Sequence, residues 1–203
     1  YKPRMDKELL REHHEGLICL SGCLASELSR ALANRDRARA ETVAREHQEI
    51  FGPDNYFVEI MDHPKIERQA ETRQAAVALA RDLNIPLVAT QDSHYLEPND
   101  DKAHDTLVAI QQGADDEVNR FSNSGEDFSL IDAETAARRF ADTPEAIANT
   151  LKIAEACNLQ LELGQWVFPD FPVPADSSHN QELEKLARAK LADYLNRQPT
   201  RRA

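Results

Sequence analysis

Three short apolar runs separated by amphipathic stretches constrain the fold of this 203-residue chain more than any other feature. Gly16-Leu17-Ile18-Cys19-Leu20 ends at Ser21-Gly22, the composition of a buried strand and its turn. Tyr56-Phe57-Val58-Glu59-Ile60 is rich in β-formers, and Ile85-Pro86-Leu87-Val88-Ala89-Thr90 reads as a third strand. Between the first two runs, Val43, His47 and Ile50 recur at helical spacing from about Asp36 to Phe51, where Gly52-Pro53 stops the helix. Between the second and third, Ile66, Ala70, Val77, Ala80 and Leu83 mark one face of a helix from about Pro64 to Asn84. Strand, helix, strand in this order predicts a parallel sheet wrapped by helices. Three strands cannot close a barrel, so the α/β segment is a small open sheet or part of something larger.

The second half changes character. A helix is expected from Asp100 to Gln112, then a long polar loop from Gly113 to Asp127. Thr143-Pro144 is a cap and first-turn signal, and Ile147, Thr150, Leu151 and Ala154 would line one face of the helix that follows. Phe168-Pro169-Asp170-Phe171-Pro172-Val173-Pro174 reads as a linker punctuated by proline. Asn180 to Asn196 is a charged amphipathic helix carrying Leu183, Leu186, Leu191 and Leu195, whose partner need not lie in this chain.

Composition narrows the function classes. With 24 Lys+Arg against 36 Asp+Glu the net charge is −12, which argues against broad adhesion to phosphate backbones by this segment alone. No run approaches the roughly 18 apolar residues of a membrane span, and no charged-then-apolar leader is present, so no membrane partner is expected. The cysteines, 19, 23 and 157, are too few and too odd for a disulfide framework, which makes a reducing cytoplasm the expected setting. Tyr1 in place of a starting Met suggests an excised piece.

The sharpest local feature is Thr90-Gln91-Asp92-Ser93-His94-Tyr95, at the C-terminal end of the third strand. In an extended segment, residues two apart face the same way, so Asp92 and His94 can meet one ion together. The alternative is that Asp92 caps a turn and His94 is an ordinary half-buried histidine. Cys23 follows the first strand, and a thiolate, an imidazole and a carboxylate make a zinc-type donor set. Its alternative is a small buried cysteine. Cys19 and Cys157 read as core, and His13-His14 as a solvated helix end. His63 and His104 fit either role, and His179 begins the last helix. There is no glycine-rich phosphate loop, no Gly-x-Ser-x-Gly elbow and no CxxC pair. Spacing alone supports a metallohydrolase-like α/β segment.

Longer words in the sequence carry more. His14-Glu15-Gly16-Leu17-Ile18, Leu20-Ser21-Gly22-Cys23-Leu24, Pro86-Leu87-Val88-Ala89-Thr90 with Asp92-Ser93-His94-Tyr95-Leu96, and Ala103-His104 follow one another in order. In combination they resemble the alpha subunits of bacterial replicative DNA polymerase III, within the polymerase-and-histidinol-phosphatase (PHP) domain. Phe140, Pro144-Glu145-Ala146, Asn149-Thr150 and Phe168-Pro169 through Pro174 continue the resemblance into the join between that domain and the palm.

The resemblance implies an α/β fold, a partial PHP-type distorted (β/α) barrel followed by a helical C-terminal segment. Residues 1–110 would be the C-terminal part of the PHP domain, 111–168 a loop and helical join, and 169–203 the linker and the start of a palm-side helix. Cys23 matches the family's cysteine ligand, and Asp92 and His94 match its last Asp-x-His pair. The family's first His-x-His motif and its further ligands belong upstream of Tyr1, and the polymerase aspartates downstream of Ala203. Gln91 stands where the family usually has Asn, and Ser93 where it often has Val. Both should alternate away from the Asp92 and His94 face and tune packing.

The implied function is template-directed DNA synthesis in chromosomal replication by a parent that binds DNA and dNTPs with Mg2+. Zinc or another divalent metal would sit at the PHP site, held weakly or not at all by this chain alone. The metal domain would be phosphoesterase or 3′–5′ exonuclease-like. Implied partners are other polymerase III subunits, the proofreading exonuclease and the sliding clamp, in the bacterial cytoplasm. One rival is a non-catalytic PHP docking module for the exonuclease. Another is part of a free-standing PHP phosphatase, which the extension from Phe168 disfavours. Because the palm motif is absent, the purified chain should not extend a primer; extension that survives contamination controls would refute this placement of the active site.

Overall fold

A computed structural model describes residues 4–112, 125–166 and 168–197. Its sheet has three parallel strands in the order β1 (Cys19–Leu20), β2 (Tyr56–Ile60) and β3 (Leu87–Ala89). Register pairs Cys19 with Tyr56, Val58 with Leu87 and Ile60 with Ala89. The middle strand is almost wholly buried, which explains its unbroken run of β-formers.

Helices fill the crossovers and cover the sheet. α1 (Lys7–Glu12) lies against α3 (Arg37–Phe51), where Lys7 and Arg11 pair with Glu46 at 2.6 and 3.1 Å. α2 (Glu27–Ala33) begins at Ser26, whose hydroxyl accepts from the Ser29 amide. Asp36 caps α3 through the Arg39 amide, and Gly52 ends it at φ +85°, a conformation side chains rarely adopt. α4 (Gln69–Leu83) returns the chain to β3 and stops at left-handed Asn84. Val43, Ala40, Leu79, Ala80, Val58 and Ile60 form the centre of the core.

After a 3-10 turn (Pro98–Asp100) come α5 (Asp101–Gln112), α6 (Ala133–Arg139) and α7 (Pro144–Ala156). α7 packs on β3, where Asn149 Nδ2 donates to the Leu87 carbonyl at 2.7 Å, both groups out of water. Phe140 and Ala146 complete the core there. The chain divides into two compact units, Tyr1–Asn158 and Leu159–Ala203. The second contains α8 (His179–Arg197), which has no buried residue, and Leu183, Leu186 and Leu191 are exposed along it. Among the described residues, no helix is long and apolar enough to cross a membrane.

The α/β class and parallel order match the sequence reading; several details differ. The first strand is two residues long and half-buried. The third begins at Leu87, because Pro86 has no amide to give the ladder. The helix expected from Pro64 starts only at Gln69, since Arg68 is left-handed (φ +65°). Its buried face is Gln69, Thr72, Ala76, Leu79 and Ala80, and Ala70 points to solvent. In α7 the buried positions are Ala146 and Asn149, and Leu151 is exposed. In both helices a polar residue holds an inward place, which a search for apolar period passes over. Cys157 is exposed, not core, because it lies past the end of α7. Of the expected polar loop, residues 113–124 lie outside the described residues.

Replacing Asn149 with Ala leaves the buried Leu87 carbonyl without its donor, so Asn149→Ala should cost about 1–3 kcal/mol in denaturant unfolding. Lys152→Ala, exposed on the same helix, should stay within about 0.5 kcal/mol.

Candidate functional site

Parallel strands bring their C-terminal ends to one edge of the sheet, and three short polar segments emerge there. Ser21-Gly22-Cys23 follows β1, Asp62-His63 follows β2 after Met61, and Thr90 to His94 follow β3. Glu59 on the middle strand ties these exits together. Its Oε2 accepts from the Gly22 amide at 3.0 Å, and its Oε1 accepts from the Thr90 hydroxyl at 2.7 Å. Its own amide donates to the Ser21 hydroxyl at 2.9 Å. Gly22 takes φ +82°, and a Cβ there would meet the Ser26 Cβ at 3.1 Å, so this turn needs glycine.

The three segments border a cavity of about 220 Å³ lined by Cys23, Met61, His63, Asp92, His94 and Phe128, among others. Cys23 is exposed at its rim, not on the far face of the sheet. Asp92 lies beyond β3 at φ +55°, so the expected alternation of Asp92 and His94 along an extended strand does not occur. A left-handed residue reverses the chain instead, and the two side chains still approach, with Asp92 Oδ1 at 3.9 Å from His94 Nδ1. The nitrogen His94 Nδ1 lies 2.5 Å from the Asp92 carbonyl oxygen. A carbonyl only accepts, so Nδ1 carries a proton, and in the neutral ring the lone pair is on Nε2. An imidazole held this way is oriented for an electrophile at Nε2. Among the described residues, no three His, Cys, Asp or Glu side chains converge closely enough to hold one ion as they stand.

The segment 125–129 closes the cavity from above the strand exits. The Lys65 amide donates to Glu126 Oε2 at 2.7 Å, and the Phe128 amide donates to the Tyr95 hydroxyl at 3.0 Å. Gln91 donates to the Asp127 carbonyl and accepts from Arg139, both at 3.0 Å, while Ser93 donates to the Ser129 carbonyl at 3.3 Å. Neither side chain lines the cavity, and both are spent on hydrogen bonds to the segment that carries Phe128. Burial opposes ionisation of Asp127, but bonds from Ser129 and the nearby Arg139 guanidinium outweigh it and hold the carboxyl below its ordinary range. Phe128 stands between two histidine rings, stacked on His63 at 4.5 Å and edge-on to His94 at 5.2 Å. His104 meets His94 edge-on at 5.2 Å, with its buried Nδ1 lacking a hydrogen-bond partner.

Sequence reasoning singled out Cys23, Asp92 and His94, which line one cavity, and passed over Glu59, which looked like one more acid in an acidic chain. Its position in a run of β-formers was the available signal. Burial and the Glu59 carboxylate also push the Cys19 thiol up to about 11, which leaves Cys23 as the accessible thiol at this edge.

Comparison with known proteins gives the chain's relatives. Residues 1–63 match the family model of the PHP domain. The chain is 42% identical over 192 residues to the DNA polymerase III subunit alpha of Deinococcus radiodurans, covering 90% of this chain and 14% of that protein. It is 38% identical over 182 residues to the corresponding subunit of Treponema pallidum, covering 89% and 16%. With that of Thermus aquaticus the identity is 35% over 210 residues, covering 98% and 17%. The chain thus spans well under a fifth of the length of these relatives. On these matches residues 1–63 are similar to the PHP domain, and most of the chain is similar to one part of the DNA polymerase III alpha subunits.

Proposed function

We propose that this chain serves template-directed DNA synthesis as part of a polymerase alpha subunit, and that its own contribution is one side of a divalent-metal site. The observation that carries the metal reading is the meeting of Cys23, Asp92 and His94 at one cavity, with His94 Nε2 left as the free lone pair. Thiolate, imidazole and carboxylate are zinc-type donors, and an unpartnered buried imidazole in the same cavity fits a cation as well. A bound ion of this type supplies Lewis acidity and a water that ionises near neutral pH. The chain's residues do the positioning: the Asp92 carbonyl orients the His94 ring, Glu59 fixes the strand exits, and Phe128 packs against the rings of His63 and His94.

On this reading the PHP-type fold extends through residue 110, with 111–168 as the join and 169–203 leading to the palm. DNA and dNTPs would be met through the rest of the subunit with Mg2+, in company with a proofreading exonuclease and a sliding clamp.

Since no three donors converge as they stand, zinc should bind weakly, and folding should not depend on it. Calorimetric titration of zinc into the chain should show weak binding that Asp92→Ala/His94→Ala removes. Tight binding that survives the double substitution would mean the wrong residues were chosen. Alkylation gives a second check. Cys23 and Cys157 should react, and Cys19 only on unfolding, because its thiol is held protonated up to about pH 11. Zinc should slow alkylation of Cys23 and leave Cys157 unchanged; equal protection of both would count against the site.

A further inference from the structure

His63 follows the middle strand by three residues, is 2% exposed, and has no hydrogen-bond partner at either ring nitrogen. Its ring is held against Phe128, 26° from parallel, and it lines the cavity that Cys23, Asp92 and His94 share. Buried polar nitrogens are nearly always partnered, and leaving two of them bare on one ring is costly. Besides Cys23, Asp92 and His94, the cavity is lined by Leu24, Ala25, Met61, Ile66, Phe128 and Gln69, and Gln69 makes no hydrogen bond to the ring, its own Oε1 being buried without a partner. A cation in the cavity would give the ring the partner that none of these side chains supplies. Cys23 and Asp92 are both exposed, which gives their side chains rotamer freedom, whereas the buried His63 ring is stacked on Phe128.

We propose that His63 is a further ligand of the divalent cation at this cavity, the fixed nitrogen toward which the more mobile donors Cys23 and Asp92 turn. The proposal rests on the metal reading given above and adds a residue that the Asp-x-His and cysteine positions do not include. Zinc is the ion to probe with, given a donor set of sulfur, nitrogen and oxygen.

The experiment is a zinc titration of the chain followed by long-range 1H–15N spectra of the imidazoles, repeated on His63→Phe and His94→Ala. Zinc should shift a ring nitrogen of His63 as well as Nε2 of His94. His63→Phe should weaken zinc binding roughly tenfold or more. Phenylalanine keeps the stacking on Phe128 and removes the bare nitrogens, so the melting temperature without zinc should be unchanged or higher. The spectra of the unsubstituted chain decide the matter even if a variant fails to fold. Zinc that shifts His94 but leaves His63 unmoved overturns the His63 proposal alone and points to a water as its partner. No shift in either ring at millimolar zinc overturns this proposal together with the metal reading.

Discussion

A single carboxylate on the middle strand holds the working edge of this protein in register. Glu59 lies in a strand that is otherwise buried, a place where an ionised side chain is stable only if its oxygens are bonded. Both are: one takes the Gly22 amide beyond β1, the other the Thr90 hydroxyl beyond β3. The main-chain ladder joins the strands over only a few residues, so this bridge continues the sheet past its formal end. Cys23 and Asp92 are each within two residues of a group that Glu59 binds.

The rest of the first unit closes on that frame from the C-terminal side. Asn149 locks α7 to β3 through the Leu87 carbonyl, and Arg73 reaches from α4 to Asp142 at 2.6 Å, just ahead of α7. Arg139 joins Gln91 to Asp127, which sets Phe128 between the rings of His63 and His94. Each link is a polar contact between separate segments, and together they hold Phe128 against the cavity at the strand exits. The metal-type donors owe their common cavity to this closure as much as to the sheet.

Much of this was legible from residues alone. The three β-former runs located the strands, and the caps Asp36, Gly52 and Pro144 located helix ends, because these signals act within a few residues. Cys23, Asp92 and His94 were identified by resemblance and by position at strand ends. The geometric argument for Asp92 and His94 failed, since it assumed extended backbone where Asp92 is left-handed. Helix faces were misjudged where Gln69, Thr72 and Asn149 take inward places.

The sequence by itself determined the α/β class, the parallel strands and the likeness to polymerase III alpha subunits, because apolar period, turn chemistry and shared words are local properties of a chain. Tertiary structure alone decided the role of Glu59 and the burial of His63. A carboxylate in an acidic chain and a histidine after a strand carry no local mark. Their states are set by partners that folding delivers from elsewhere: Gly22 and Thr90 for the first, Phe128 for the second. A hydrogen bond or a lost solvent shell is a property of two groups in space, so neither is written in the residues that flank them.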